Sequence, residues 1–217
     1  MRVHGVWQLT PQRVAIHVPS ATAVLADLHL GYCEARQRRG DAVPTPALSE
    51  ILQPLACVLR DHRLRRILIA GDLFEDGVND TIAQGFLRWV GDQKAELIGI
   101  VPGNHDRKPS RLRLGTRASY SLDDWLIVHG DGKLPAGLVV CGHFHPSWQA
   151  AGRSWPCYLV GPRRIVLPAF SADASGAGLH GWAGYRCLVP VGADVLDFGP
   201  YKTGSRRGGR ATRRLPG

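Results

Sequence analysis

Apolar residues along the chain fall into short runs of two periodicities, and the polar residues that could do chemistry gather where those runs stop. Val14, Ile16 and Val18 alternate with polar neighbours as a half-buried strand does, and residues 21–26 form a continuous small apolar run suited to a central strand. Leu48, Ile51, Leu52, Leu55, Val58 and Leu59 recur at helical spacing behind Thr45-Pro46, which reads as an N-cap and first-turn proline. Pro54 then predicts a kink or a restart of that helix. A buried strand follows over 67–70, and Asn79-Asp80 caps a helix whose inward stripe is Ile82, Phe86, Trp89 and Val90. Leu97, Ile98, Ile100 and Val101 make a third buried run, stopped by Pro102-Gly103. Further strands are expected at 125–128 and 138–140, then an antiparallel final third. This comprises a hairpin of 158–160 and 164–167 around Gly161-Pro162, a loop at 171–184, and edge-like strands at 186–189 and 195–198. Strand, helix, strand, helix, strand with polar residues at the carboxyl ends of the strands is an α/β pattern, and ligands bind at such ends. One domain is expected over 1–200. Residues 201–217 read as a basic, disordered tail with too little apolar content to offset ordering entropy.

The strand ends carry an unusual donor set. The second strand delivers Asp27-Leu28-His29, the next delivers Asp72, and Pro102-Gly103 leads into Asn104-His105-Asp106. His129 follows 125–128, and His143 and His145 follow 138–140. Residues two apart in extended backbone point the same way, which would aim Asp27 with His29 and His143 with His145. Taken singly, an N-cap Asp with an incidental His, or a polar turn with a surface His, explains each motif. Taken together, Asp27, His29, Asp72, Asn104, His129, His143 and His145 are too many donors for one tetrahedral zinc, so two ions sharing a carboxylate is the economical arrangement. Mixed carboxylate, carboxamide and imidazole ligation suits Mn²⁺ or Fe²⁺ and admits Zn²⁺. His105 is left over as a possible acid or base.

Charge narrows the partner. There are 27 Lys+Arg against 18 Asp+Glu, a formal net charge of +9, which favours an acidic partner such as nucleic acid. Arg206, Arg207, Arg210, Arg213 and Arg214 concentrate part of the excess near the end. Arg36, Arg38 and Arg39, and Arg107 with Lys108 and Arg111, lie beside donor motifs and are candidates for phosphate contacts. Ordinary solvated arginines are the competing explanation for each. Cys33, Cys57, Cys141, Cys157 and Cys187 show no paired spacing, so a reduced cytosol is the expected home. No leader-like apolar segment and no run long enough to span a bilayer is seen, so export and membrane insertion are not expected.

The order DLH, GDLFED, GNHD, HGD and GHFH, covering Asp27 to His145, resembles the calcineurin-like metallophosphoesterase superfamily. That resemblance implies a two-sheet α/β sandwich flanked by helices (αββα). It implies one metal on Asp27, His29, Asp72 and His145, a second on Asp72, Asn104, His129 and His143, and His105 as the catalytic imidazole. Hydrolysis by hydroxide formed at the two ions, about 3.5–4 Å apart, would follow. The DLHLG start, the Arg-rich stretch after it, GNHDR and the late LPAFS further resemble the ligase-associated DNA-damage-response endonucleases of the PdeM family. Those proteins are Mn²⁺-dependent phosphodiesterases credited with DNA endonuclease activity and linked to a DNA ligase and a helicase-like protein in repair. Position 75 is Glu where relatives of the GDLF motif often carry His or Asp, so Glu75 and Asp106 both stand as candidates to orient His105. A small-molecule or cyclic-nucleotide phosphodiesterase would use the same metals. A non-catalytic scaffold would be expected to have lost donors, and a protein phosphatase to carry a GDYVDRG-like motif, which is absent here.

Overall fold

The computed structural model describes residues 1–77, 79–106, 115–150, 152–174, 176 and 181–201. Its first sheet begins antiparallel, with β1 (Arg2–Val3), β2 (Trp7–Leu9), β3 (Ala15–His17) and β4 (Thr22–Leu25) side by side. It continues parallel through β5 (Arg66–Ala70) and β6 (Glu96–Val101). The β4 to β5 crossover carries α1 (Tyr32–Arg38), α2 (Leu48–Ile51) and α3 (Gln53–Asp61), and the β5 to β6 crossover carries α4 (Asp80–Asp92). The helix expected from Thr45-Pro46 starts later, because Glu50 Oε2 accepts the Ala47 N–H at 3.0 Å and fixes the first turn there. Pro54 acts as a restart: the helix breaks at Leu52, and the proline sits in the first turn of α3, where no N–H is needed. Asn79 caps α4 as expected, its Oδ1 accepting from Thr81 and Ile82 N–H at 3.0 and 3.2 Å.

The second sheet has the order β15-β14-β12-β13-β9-β8-β7. Its strands are β7 (Tyr120–Leu122), β8 (Trp125–Val128), β9 (Leu138–Cys141), β12 (Tyr158–Val160), β13 (Arg164–Val166), β14 (Arg186–Val191) and β15 (Asp194–Pro200); β10 (Ser147–Ala150) and β11 (Arg153–Pro156) form a separate ribbon. The expectation of an antiparallel final third needs correction. The hairpin of β12 and β13 exists, but β13 also pairs in parallel with β9, which pairs in parallel with β8. The strand at 186–191 is interior between β12 and β15, so of the two strands expected at an edge only β15 lies there. Single-strand patterns carry no pairing information, which is why these partners were not readable. Tyr201, placed in the tail by the sequence, is buried and donates its N–H to Tyr185 O, so the packed region extends to it. The rest of the expected tail lies outside the described residues, and so does Arg107.

Alternation along β5 explains the layers. Ile67 and Ile69 pack with Leu25, Leu55 and Phe86 against the helices. Leu68 and Ala70 face the other way and meet Val24, Ile127, Val140 and Tyr158 between the sheets. Each large side chain so buried stabilises the fold by roughly 1.5–3 kcal/mol. A third cluster, with Val139, Cys157, Leu159, Cys187 and Trp182, covers the outer face of the second sheet. All five cysteines are free thiols. No described helix is long and apolar enough to cross a membrane.

One buried carboxylate ties two loops together at the strand ends. Asp106 Oδ1 accepts the Phe74 N–H at 2.8 Å, and Oδ2 accepts those of Leu73 and Gly103 at 3.2 and 2.9 Å. Burial pushes its carboxyl upward, and the Gly103, Phe74 and Leu73 N–H groups pull it back. Asp106→Ala strands three donors in a dry site and is expected to cost about 2–4 kcal/mol in urea unfolding, with Asp106→Asn losing less because one oxygen remains. Equal stability of wild type and Asp106→Ala would refute this role.

Candidate metal centre

Five loops leave the carboxyl ends of β4, β5, β6, β8 and β9 and converge. They bring Asp27 and His29, Asp72, Asn104 and His105, His129, and His143 and His145 respectively. The two-apart pairs do not lie on extended backbone as expected. Asp27 (φ 57°), His29 (φ 49°), Asp72 (φ 44°), His143 (φ 68°) and His145 (φ 43°) all adopt left-handed conformations. Each such residue costs of order 1–2 kcal/mol, and such strain persists only where the surroundings hold it. Here the 27–30 loop runs alongside 71–73: Asp27, His29 and Leu30 N–H donate to Gly71, Asp72 and Leu73 carbonyls at 3.0, 3.0 and 2.9 Å. Asp and His are among the side chains that tolerate this region best, which is a sequence signal for the kinks.

Two glycines permit the close approach of the loops. A Cβ at Gly71, itself at φ 101°, would fall 1.8 Å from His129 Nδ1. At Gly142 it would meet Ala26 Cβ at 2.5 Å and both Ala70 O and Asp27 Oδ2 at 2.9 Å. Any larger residue at either position would push a donor-bearing loop away.

Within this frame the side chains form overlapping groups. Asp27, His29 and His145 offer atoms within 4.8 Å of one another, and so do Asp72, His129 and His143. A third group joins His29 and Asp72 with His105. Asp27 Oδ2 lies 3.4 Å from His145 Nε2 and accepts the His143 N–H at 2.8 Å. Around His129 Nε2 stand Asn104 Oδ1 at 3.1 Å, His143 Nδ1 at 3.2 Å and Asp72 Oδ2 at 3.4 Å. One ring proton cannot serve three acceptors, and lone pairs aimed at one point fit a cation. Asp27 Oδ1 and His29 Nε2 are buried with no hydrogen-bond partner, a costly condition that a bound ion would relieve. Every donor expected from the sequence is thus brought into one place, and the donor chemistry fits divalent ions.

Burial dominates the titration behaviour. It lowers the His29 imidazole to about 4, against the raising effect of Asp27, so the ring is neutral and a competent ligand near pH 7. It raises the Asp72 carboxyl to about 6, partly offset by His129 and the His105 N–H. His143 is lowered, again first by burial. The elevated Asp72 is the cost of placing a carboxylate in a dry site, which nearby positive charge reverses.

Glu75 lies against two imidazoles, bonded to one of them. Its Oε2 sits 2.9 Å from His29 Nδ1, and its backbone carbonyl receives the His105 Nδ1–H at 2.8 Å, with the carboxylate 3.6 Å away. A carbonyl only accepts, so the proton of a neutral His105 is on Nδ1 and Nε2 remains for chemistry. The His105 N–H donates to Asp72 Oδ1 at 2.8 Å. Both Asp106 oxygens are taken by backbone N–H groups, so its carboxylate joins loops and does not hold the His105 ring. The role of Glu75 toward His29 was not foreseen; its only sequence signal is its place three residues after Asp72.

The basic residues are less available than the charge count suggested. Arg36 Nε pairs with Asp41 at 2.8 Å and Arg38 Nη2 with Asp76 at 3.4 Å, while Arg39 is exposed and makes no ion pair among the described residues. Arg38 and Asp76 adjoin the Glu75 loop, so this pair stands at the rim of the centre.

Comparison with known proteins accords with this geometry. A crystal structure of the Pseudomonas putida nuclease MPE superposes with a TM-score of 0.70 over 91% of this chain and 98% of that one, at 20% identity, which is a likeness of fold. No curated protein sequence matches. The calcineurin-like phosphoesterase family matches residues 21–156, more than half of the chain and every loop of the donor set. The chain therefore belongs to the calcineurin-like phosphoesterase family and is a metal-dependent phosphoesterase.

Proposed function

We propose that the chain is a two-metal phosphodiesterase that cleaves nucleic acid, with DNA the first substrate to test and a role in DNA repair. The observation that carries the two-metal reading is the crowding of Asp72, Asn104 and His143 around His129 Nε2, beside a second group of Asp27, His29 and His145. Asp72, common to two of the three donor groups, is the bridging ligand in this reading. Nucleic acid is supported by the +9 charge and by the activity named for the Pseudomonas putida protein whose fold the chain shares. The likeness to PdeM-type sequences makes Mn²⁺ the metal to try first, and a DNA ligase and a helicase-like protein the partners.

When bound, two divalent ions neutralise phosphodiester charge and bring the pKa of a coordinated water toward neutrality. The chain's own residues do the rest. Asp27, His29 and His145 would hold one ion, and Asn104, His129 and His143 the other, with Asp72 shared between them. The Glu75 carbonyl holds His105 in a set orientation and its carboxylate lies beside His29, sparing a reorganisation cost during reaction. His105 is 39% exposed, which leaves Nε2 able to reach a substrate oxygen. Protonated there, it donates to a phosphoryl oxygen or to the leaving oxygen. No nucleophilic side chain is required.

Three outcomes are expected. Mn²⁺ at about a hundredfold its Kd raises unfolding free energy by about 2.7 kcal/mol, and Asp72→Ala abolishes that gain. The gain is complete at neutral pH. It declines as pH falls through about 6, where Asp72 takes a proton, and is lost toward about 4, where His29 does. A melting temperature indifferent to Mn²⁺ at every pH would remove the metal centre.

His105→Ala keeps this metal response and lowers turnover by about 10²-fold or more. Full activity in that variant would sink the acid role. With Mn²⁺, wild type cuts single-stranded or duplex DNA and hydrolyses a generic phosphodiester. Ester hydrolysis without any DNA cutting moves the substrate to a small phosphodiester.

A further inference from the structure

A cavity of about 350 Å³ opens beside the metal centre and shares His29 as part of its wall. Leu28, Tyr32, Ile51 and Phe170 supply apolar surface, two of them aromatic. The volume lies at the lower end of the range for small-ligand sites, about 300–1,000 Å³, and suits a group the size of a nucleoside. Its charge runs opposite to that of the chain as a whole. Among the described residues Glu34, Glu50 and Asp173 line it against one cation, Arg13, whose Nη1 already donates to Ala169 and Ser171 carbonyls at 3.2 and 3.0 Å. Glu34 and Asp173 there repel a second phosphate and accept from the exocyclic amino groups of bases, while Tyr32 offers surface to a base's face and the buried edge of Phe170 closes the floor.

Resting on the phosphodiesterase reading above, we propose that this cavity is a base subsite, taking one unstacked nucleobase of the nucleotide next to the scissile phosphate. A base confined in a duplex stack cannot enter it. The subsite therefore selects single-stranded or frayed ends, and it gives a nucleotide ester an advantage over an ester with no base.

The test compares, with Mn²⁺, the p-nitrophenyl ester of a nucleoside 5′-monophosphate with methyl p-nitrophenyl phosphate, which has no base. Two variants fill the cavity from exposed rim positions, Thr45→Trp and Ala172→Trp, with thermal melts to show that each is folded. Wild type is expected to favour the nucleotide ester by about tenfold or more in kcat/KM, mainly through KM. Both variants lose that preference and hydrolyse the methyl ester within about twofold of wild type. Equal kcat/KM for the two esters in wild type, or a preference that survives in both folded variants, overturns the subsite. No turnover of either ester by wild type is a separate result: it overturns the phosphodiesterase reading, and the subsite falls with it.

Discussion

The buried carboxylate of Asp27 is the point on which the molecule turns. It stands at the end of β4 in the first sheet with no exposed surface, and its Oδ2 accepts the His143 N–H at the end of β9 in the second. Its own N–H donates to Gly71 O, and its carbonyl accepts the Ser171 N–H at 3.1 Å. Its Oδ1 lies 3.6 Å from His129 Nδ1. One residue thus joins loops from β4, β5, β8, β9 and the segment after β13, its backbone reaching Gly71 and Ser171 and its carboxylate reaching His129 and His143. A carboxylate in a dry region costs several kcal/mol unless paired. A buried carboxylate and a junction between the two sheets therefore coincide, and the way the sheets pack sets the separation of the two donor groups.

Around that junction, backbone and side chain divide the labour. Parallel strands deliver the loops to one end, close glycine contacts let them touch, and Asp106 fastens the turns after β5 and β6. Side chains free of those duties point inward with lone pairs unspent. Glu75 shows the division within a single residue, its carbonyl bonded to one imidazole and its carboxylate 2.9 Å from the Nδ1 of another.

Much of this was legible in the sequence for a physical reason. Ligands for hard cations must be polar, polar groups are excluded from strand interiors, and so they collect where apolar runs stop; Asp72 after 67–70 and His129 after 125–128 are found this way. The helix restart at Pro54 and the cap at Asn79 are equally local, and both are present. What could not be read was relational. Nothing in 164–166 or 138–141 says that these strands run parallel to each other. The short strands β1, β2, β7, β10 and β11 gave no pattern long enough to register. The extended geometry inferred for Asp27-Leu28-His29 was mistaken because the preference of a motif was taken for the conformation that its neighbours impose. Arg36 pairs with Asp41 within its own turn, whereas the Asp76 partner of Arg38 becomes a neighbour only through the fold.

Five of the seven donors sit in backbone conformations that glycine adopts freely and other residues adopt at a cost. Replacement by glycine would relax the backbone at Asp27, His29, Asp72, His143 or His145 but would remove a donor, and at Asp27 and Asp72 it would also leave the His143 and His105 N–H groups without their acceptors. That these positions hold Asp and His marks them as places where endurance was given up for readiness.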